Sequence, residues 1–361
     1  MAATILAFVV AGCGGGTAAP AQGSGQSTGT AAGKLPFAGQ TLVVTTYGAT
    51  WQQFMQNTIV PAFEKQTGAK VQLAVGLSTN WIAKLKAAGK SDPPYDVVIA
   101  NETYVSGIRP DGYFADLPLD KVPNLKDVAP QLRNPNDNGV LGLINPLGIA
   151  YMKDKVKNPP TSWQDLWKPE YKGQICLYSA SNSAMPMVVM NTARIFGGSP
   201  ENLTVGFQKL KELLPFKMSD FTGNVEQLLT QGECSIALLD SPTWAQMVKQ
   251  GVNIGFSVPS DGFFIFEQDM NVTSGSKVKD LAYAFINYML SAPVQLEWVK
   301  GFYEVPANTK VQIPADLKSL IPVTPSDLGK YVKWDWAWVN SNNVLQTIVS
   351  DWNKQIASQQ G

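Results

Sequence analysis

The stretch from Thr41 to Leu73 constrains the fold of this chain more than any other part of its sequence. Residues 42–44 form a short apolar, β-branched run that predicts a buried strand. A helical pattern with one apolar face follows from Trp51 to Phe63, and Gly68 stands at the usual position of a helix end. Residues 69–73 then predict a second strand. This βαβ order predicts a mainly parallel sheet with flanking helices.

The loop after the first strand is the first candidate for a binding surface. Ligands of such sheets gather outside the carboxyl ends of the strands, where Tyr47 and Trp51 are expected to lie. The alternative for Trp51 is a core aromatic side chain behind the tight turn at Gly48.

Later strands end in similar polar loops. Asn101, Glu102 and Tyr104 follow the predicted strand 95–100, and Asp240 follows the strand 234–239. A polar run containing Ser179, Ser181, Asn182 and Ser183 separates the strand 173–178 from a helix that begins near Ala184. Its hydroxyl and amide groups beside free helix N–H groups suit an anion or a carboxylate. Ordinary capping of the helix is the alternative.

Two apolar segments connect two α/β blocks of the chain. They lie near residues 139–151 and 266–272, where the chain leaves one block and later returns. This order predicts two lobes, two crossing strands and a cleft between the lobes. The expected divisions are a signal segment with its cysteine (1–13), a tether (14–35), one lobe with the C-terminal helices (36–147 and 272–361) and a second lobe (148–271).

The composition excludes several classes of protein. The 361 residues contain no histidine, which excludes a Ser-His-Asp triad, a His general base and a His-bearing zinc site. Twenty-eight basic residues balance 28 acidic ones without a basic run, so a nucleic-acid partner is not expected. We expect no cofactor and no metal.

The N-terminal residues predict export and lipid anchoring. The apolar run 1–12 is too short to span a bilayer and ends in Val10-Ala11-Gly12-Cys13, which resembles the lipobox of bacterial lipoproteins. Cys13 is therefore the expected lipidation site, followed by a Gly/Ala/Ser/Thr-rich tether. The alternative is an apolar terminus without a targeting role. The expected location is the periplasm or the cell surface, held to the membrane by lipid.

Two further cysteines, Cys176 and Cys234, stand in apolar, strand-like runs of the same half of the chain. In an exported protein they can pair as a disulfide. Two buried free thiols remain an equal alternative, because sequence does not show proximity.

Several phrases resemble the solute-binding proteins of bacterial ABC importers, in the branch that contains the spermidine/putrescine-binding proteins. They are the opening stretch from Thr45 to Val71, Tyr95-Asp96-Val97-Val98, the phrase PPTSWQDLWKPEYKG (159–173), residues 275–295 and VPANTK (305–310). The likeness keeps a consistent order from about Gly39 to Lys310. It implies a type II periplasmic-binding-protein fold: two α/β lobes, each with a mainly parallel sheet, joined by a two-strand hinge.

The resemblance also implies a way of holding solute. Polyamine-binding members stack the aliphatic chain between aromatic rings and hold ammonium groups with carboxylates. Trp51, Tyr104 and Phe266 are the corresponding aromatic positions here. Where those members have an acidic pair after the strand that follows YKG, this chain has the serine-rich run.

The carboxylates therefore have to come from elsewhere in the chain. A Trp-x-Asp pattern of the second crossing strand reads Phe266-Glu267-Gln268 here, followed by Asp269. A register shift of one residue would reverse which of these side chains face the cleft. Other candidate acids are Glu102, Asp240 and Glu304. Several converging carboxylates suit a cationic or zwitterionic solute.

The leading hypothesis is a monomeric, non-enzymatic binding protein that captures a small polar, amine-bearing solute and delivers it to a membrane permease. A two-carboxylate hydrolase with Asp240 and Glu267 is one alternative. A metal-capturing relative is another, although the adjacent tyrosines of the iron-binding relatives are absent from the sequence.

Overall fold

A computed structural model describes residues 35–341 and 343–359. The predicted signal segment, the lipidation site Cys13 and the tether up to residue 34 lie outside the described residues.

Strands and helices alternate along most of the described chain. The strands are β1 Thr41–Thr46, β2 Lys70–Val75, β3 Val97–Asn101, β4 Phe114–Ala115, β5 Val140–Met152, β6 Ile175–Tyr178, β7 Lys217–Ser219, β8 Ile236–Asp240, β9 Ile254–Ser257, β10 Phe264–Thr273 and β11 Val305–Pro306. The helices are α1 Ala49–Phe54, α2 Val60–Thr67, α3 Ser78–Ala88, α4 Glu102–Val105, α5 Ala184–Gly197, α6 Leu203–Leu213, α7 Thr222–Thr230, α8 Ser241–Lys249, α9 Lys279–Met289, α10 Ala292–Phe302, α11 Trp336–Asn340 and α12 Val344–Gln355. A π-helical turn, Met55–Ile59, joins α1 to α2.

The predicted βαβ unit is confirmed. β1 pairs in parallel with β2 and with β3, and the helical stretch α1–α2 connects β1 to β2. This stretch ends at Gly68, whose φ of 76° lies in the left-handed region that favours glycine. Met55, Ile59 and Phe63 are buried on its inner face. Burial of each such side chain stabilises the fold by about 1.5–3 kcal/mol.

β5 and β10 are the two predicted crossing strands. They pair with each other in antiparallel fashion; β10 also pairs with β3 of the first group, and β5 also pairs with β8 of the second. β6 is parallel to both β7 and β8. The fold is therefore α/β with two parallel strand groups, as expected. The two groups are not separate sheets, because β5 and β10 join them into one hydrogen-bonded sheet of 11 strands within the described chain.

Segments distant in sequence complete the core of the first lobe. Phe63 of α2 packs against Phe285 of α9, with ring centroids 5.1 Å apart. Gln295 of α10 donates to the carbonyl oxygen of Gly142 in β5 at 2.8 Å. The return of the chain after β10 is thus needed to cover the first strand group.

The last helix, α12, packs against the second lobe and not against the first lobe, where the sequence analysis placed it. α12 packs against α5 and α6 of the second half, and the rings of Phe216 and Trp352 are 6.1 Å apart. The sequence placed all of 272–361 with the first lobe. The apolar face of α12, with Ile348 and Trp352 fully buried, instead covers helices of the second lobe.

Cys176 of β6 and Cys234, just before β8, form a disulfide with their Cα atoms 5.9 Å apart. Because β6 and β8 are neighbouring parallel strands, the bond links adjacent parts of the second lobe. The structure thus selects the disulfide over two free thiols.

Candidate ligand-binding site

A cleft of about 290 Å³ opens at the carboxyl ends of the strands, between the two halves of the sheet. Residues from both halves and from the crossing strands line it. They are Tyr47, Trp51, Leu77, Ser78, Thr79, Asn101, Tyr104, Asn145, Ser181, Asn182, Ser183, Asp220, Phe221, Thr222, Asp240, Thr243, Phe266, Gln268 and Phe302.

The floor of the cleft is formed by side chains that share one face of the central strands. Asn145 of β5 stands opposite Phe266 of β10, and Gln268 follows two residues later. Asp240 of β8 stands opposite Leu147, two residues after Asn145. Because side chains alternate between faces along a strand, all four project to the same side of the sheet.

The wall from the first half contains a fixed hydrogen-bonded group. Tyr47 Oη lies 2.7 Å from Ser78 Oγ and donates to Asn101 Oδ1 at 3.1 Å. Burial raises the pKa of Tyr47 well above its ordinary value, so the phenol stays protonated. The ring also packs edge-on against Trp81, with centroids 5.1 Å apart. Tyr47 therefore presents a rigid aromatic surface to the cleft.

Trp51 fits both of its sequence interpretations. It is only 8% exposed and packs against Trp298 and Phe302, with centroid distances of 4.7 and 5.5 Å. It also lines the cleft, together with Tyr104. Trp51 is thus both a core residue and a wall of the site, so its removal would change folding and binding together.

The serine-rich run of the second half precedes α5, and Asn182 ties it to the start of this helix and to Asp220. Asn182 Oδ1 accepts from the backbone N–H of Ala184 at 2.9 Å, and Asn182 Nδ2 donates to the carbonyl oxygen of Asp220 at 3.0 Å. The hydroxyl of Ser179 donates to the carboxylate of Asp220. This carboxylate beside the helix N-terminus disfavours the anion or ligand carboxylate that the sequence suggested for this place.

Asp240 is the second carboxylate of the cleft. It is 5% exposed and accepts from the backbone N–H of Thr243 at 2.9 Å, which caps α8. Burial raises its pKa, while the contacts with Thr243 lower it. Nearby, burial and the charge of Asp240 raise the pKa of Glu226 to about 7. A cation near Asp240 would favour the ionised form of both acids.

The structure brings together nine of the predicted ligand-binding residues. They are Tyr47, Trp51, Asn101, Tyr104, Asn182, Ser183, Asp240, Phe266 and Gln268. Five others do not line the cleft: Glu102, Ser179, Glu267, Asp269 and Glu304.

The alternation of β10 explains why Glu267 and Asp269 do not reach the cleft. Phe266 and Gln268 occupy the cleft face, so Glu267 projects to the other side. There it is 2% exposed and accepts hydrogen bonds from Tyr331 Oη and Trp336 Nε1. Asp269 is fully buried and accepts from Arg109 Nη2 at 2.9 Å.

Glu102 belongs to the same interior network. It starts the short helix α4 and accepts from Arg109 Nη2 at 2.7 Å. Burial raises its pKa well above the ordinary value, Asp269 adds to the rise, and Arg109 opposes it. The structure therefore places Glu102 and Asp269 in an interior network around Arg109 instead of in the cleft lining. Glu267 lies in the interior as well, against Tyr331 and Trp336.

Glu304 lies one layer beneath the cleft. It is 1% exposed, and its Oε1 accepts from Asn145 Nδ2 at 3.1 Å. Ser179 does not line the cleft either, but its hydroxyl donates a hydrogen bond to Asp220, which does.

Sequence reasoning missed several residues that line the cleft. Asp220, Phe221 and Thr222 follow the three-residue strand β7, which is too short to give a periodic signal. Ser78 and Thr79 begin α3 and resemble ordinary capping residues. Asn145 had a usable signal, because it is the single hydrogen-bonding side chain between Val140 and Ala150.

The cleft lining has a clear electrostatic character. Its charged members among the described residues are Asp220 and Asp240, and no lysine or arginine is among them. Tyr47, Trp51 and Tyr104 supply aromatic faces, which attract cations. The site is therefore suited to a small cation with apolar segments.

The described residues contain neither a metal-ligand cluster nor a membrane-spanning helix. No group of three or more His, Cys, Asp or Glu residues is placed there to hold a metal ion. In the same residues, no helix combines the length and the apolar character required to cross a bilayer.

Comparison with known proteins supplies the family. The sequence model of a family described as bacterial extracellular solute-binding protein matches residues 58–323. The chain belongs to this family. Its members bind solutes, and it is accordingly a binding protein and not an enzyme.

Similar curated proteins share most of the chain length. A spermidine/putrescine-binding periplasmic protein of Haemophilus influenzae is 26% identical over 302 residues, covering 80% of this chain and 83% of that protein. One from Escherichia coli is 25% identical over 260 residues, covering 69% of this chain and 74% of its own length.

Solved structures show the same fold. An ABC transporter structure from Clostridium perfringens has a TM-score of 0.74 and 25% identity, and the match covers 87% of this chain and 99% of that one. A spermidine/putrescine ABC transporter substrate-binding protein from Streptococcus pneumoniae has a TM-score of 0.69 at 22% identity, over 86% of this chain and 98% of that one. The two-lobed solute-binding fold expected from the sequence is thus confirmed.

Proposed function

We propose that this protein is the solute-binding component of an ABC importer and that its solute is a small organic amine of the polyamine type. The observation that carries the proposal is the lining of the cleft: aromatic rings and two carboxylates, with no basic side chain among the described residues there. The names of the similar proteins, which bind spermidine and putrescine, support the same class of solute.

The chemistry of the lining accounts for both parts of such a solute. Tyr47, Tyr104 and Phe266 offer apolar and π surface for an alkyl chain and its ammonium ends. Asp220 and Asp240 offer charge-assisted hydrogen bonds to ammonium groups. A zwitterionic solute is less favoured, because Asp220 stands beside the helix N-terminus that would otherwise hold its carboxylate.

Binding is coupled to closure of the two lobes in this proposal. The cleft has walls from both halves, so a solute that touches both stabilises the closed state over the open one. The closed protein then delivers the solute to a membrane permease. The periplasmic relatives support a location outside the cytoplasmic membrane, and lipidation of Cys13 would hold the protein there.

The alternatives from the sequence have less support. A two-carboxylate hydrolase requires Asp240 and Glu267 in one site, but only Asp240 lines the cleft. A metal-capturing site finds no ligand cluster among the residues that the structure describes.

The test is a thermal-shift and calorimetric screen with spermidine, 1,4-diaminobutane, amino acids and simple anions. We expect only the di- and triamines to raise Tm, since a ligand that binds the native state stabilises it. Asp220→Asn and Asp240→Asn should each weaken amine binding about tenfold or more, as loss of a charged hydrogen bond does.

Glu201→Gln is the matched control. It removes one negative charge from an exposed position of the second half, away from the cleft, and should leave affinity unchanged. Binding of an anion, or amine binding that survives both aspartate substitutions, would contradict the proposal.

A further inference from the structure

Three acceptor oxygens at or just beneath the floor of the cleft have no hydrogen-bond donor among the described residues. They are Asn145 Oδ1, Gln268 Oε1 and Glu304 Oε2. The three residues are only 8%, 8% and 1% exposed, respectively. A buried polar atom left without a partner is unfavourable, so this position favours a group that donates several hydrogen bonds.

The backbone register brings the three side chains together. Val305 of β11 pairs with Ile144 in antiparallel fashion, which places Glu304 opposite Asn145. Asn145 in turn stands opposite Phe266, and Gln268 is its diagonal neighbour on the same face. Asn145 and Gln268 both line the cleft.

Glu304 determines which atom of Asn145 is left for a solute. Asn145 Nδ2 donates to Glu304 Oε1 at 3.1 Å, so the amide nitrogen is engaged and the amide oxygen remains. An oxygen held in this way accepts hydrogen bonds and rejects other acceptors. The cleft floor is therefore set to receive a donor.

We propose that Asn145, Gln268 and Glu304 form an inner ammonium subsite, in which the two amide oxygens contact one primary ammonium group of the solute and Glu304 fixes Asn145 and supplies the opposing charge. This inference rests on the proposed amine-binding function and adds a second cation position to the one formed by Asp220 and Asp240. Glu304 is a positioning residue, because its carboxylate lies behind Asn145.

The electrostatic surroundings of Glu304 agree with this role. Burial raises its pKa well above the ordinary value, the bond from Asn145 opposes the rise, and Asp240 adds to it. β5 carries no charged residue, and on α10 the exposed Glu297 and Lys300 pair with each other at 3.2 Å. A solute cation would favour the ionised carboxylate, so its binding should release a proton.

The experiment compares 1,4-diaminobutane with 1-aminobutane by calorimetry on the full chain, for the wild type, Glu304→Gln and Gln268→Met. A diamine has to use both cation positions, whereas a monoamine can use the one at Asp220 and Asp240. We expect diamine affinity to fall about tenfold in each variant, with monoamine affinity changing less than about threefold.

The number of protons released on amine binding distinguishes an electrostatic role of Glu304 from a merely structural one. Titrations at pH 7 in two buffers of different ionisation enthalpy measure the protons released on binding. We expect less release in Glu304→Gln than in the wild type, with the contributions of Asp240 and Glu226 common to both. Glu267→Gln is the control, because it makes the same change at an equally buried carboxylate outside the cleft.

Two results would overturn the subsite. One is unchanged diamine affinity in Glu304→Gln and Gln268→Met. The other is an equal loss for diamine and monoamine with unchanged proton release, which would indicate a general structural effect. A wild type that binds neither amine would instead overturn the proposed function, and the ammonium subsite with it.

Discussion

Glu267 illustrates how a shift of one residue along a strand changes the role of a carboxylate. Its neighbours Phe266 and Gln268 line the cleft, while Glu267 accepts hydrogen bonds from Tyr331 and Trp336 on the opposite face. These contacts attach the segment after β11 to the crossing strand. Burial raises the pKa of Glu267 to about 7, against the opposing effect of the two donors. The ionised form of Glu267 is therefore less stable in the folded protein than in the unfolded one.

We expect Glu267→Gln to change the pH dependence of stability rather than affinity. A carboxyl group with a raised folded pKa adds most stability below its unfolded pKa and loses it as pH rises through the folded value. The wild type should thus lose stability relative to Glu267→Gln between about pH 4.5 and 7, by on the order of 3 kcal/mol. Urea unfolding of both proteins across this range measures the difference.

A difference between the two proteins that stays constant from pH 4.5 to 7 would contradict a raised pKa at Glu267. Amine affinity serves as the internal control and should remain that of the wild type.

The second strand group depends on a covalent link as well as on packing. The disulfide joins Cys176 of β6 to Cys234, 58 residues later, and the segment between them includes α5, α6, β7 and α7. Closing this segment restricts the unfolded chain, in addition to any effect on the folded one.

We expect removal of this disulfide to destabilise the protein by roughly 2–4 kcal/mol, the typical range for a disulfide. The double variant Cys176→Ala, Cys234→Ala should unfold at lower denaturant concentration than the oxidised wild type. The reduced wild type is the matched control, since it keeps both side chains. Equal midpoints for oxidised and reduced protein would contradict a stabilising role.

On the scale of the whole molecule, β5 and β10 are the two long strands that run through both halves of the sheet. β5 has 13 residues and β10 has 10. They contribute to the hinge and to the cleft floor at once, through Asn145, Phe266 and Gln268. A solute on this floor is therefore placed to influence the angle between the lobes.

We expect saturating 1,4-diaminobutane to lower the radius of gyration measured by small-angle X-ray scattering, because contacts to both walls favour closure. Asp240→Asn at the same ligand concentration should show a smaller decrease. A wild type that binds the diamine by calorimetry without any change in radius of gyration would show that binding and closure are not coupled.

Local sequence patterns were sufficient for the elements and their order. The apolar run 42–44, the end of the first helix at Gly68 and the apolar segment 139–151 all depend on neighbouring residues alone, and each has its predicted structure. The polar loops after the strands were also recognisable, since parallel strands place their carboxyl ends at one edge. Tyr47, Asn101 and Asp240 were found in this way.

Only the tertiary structure decided which carboxylates line the cleft. The side-chain alternation of β10 becomes a choice of face only when its register with β5 is known, and this sent Glu267 and Asp269 inward. Pairing of β11 with β5 placed Glu304 behind Asn145, and a turn after the short strand β7 brought Asp220 into the cleft. The sequence by itself predicted the two-lobed framework, because local periodicity reveals the strands and helices and their order shows a chain that leaves one block and later returns. The charges of the cleft depend on strand pairings between residues distant in the sequence, such as Leu147 with Asp240 and Tyr178 with Ser219.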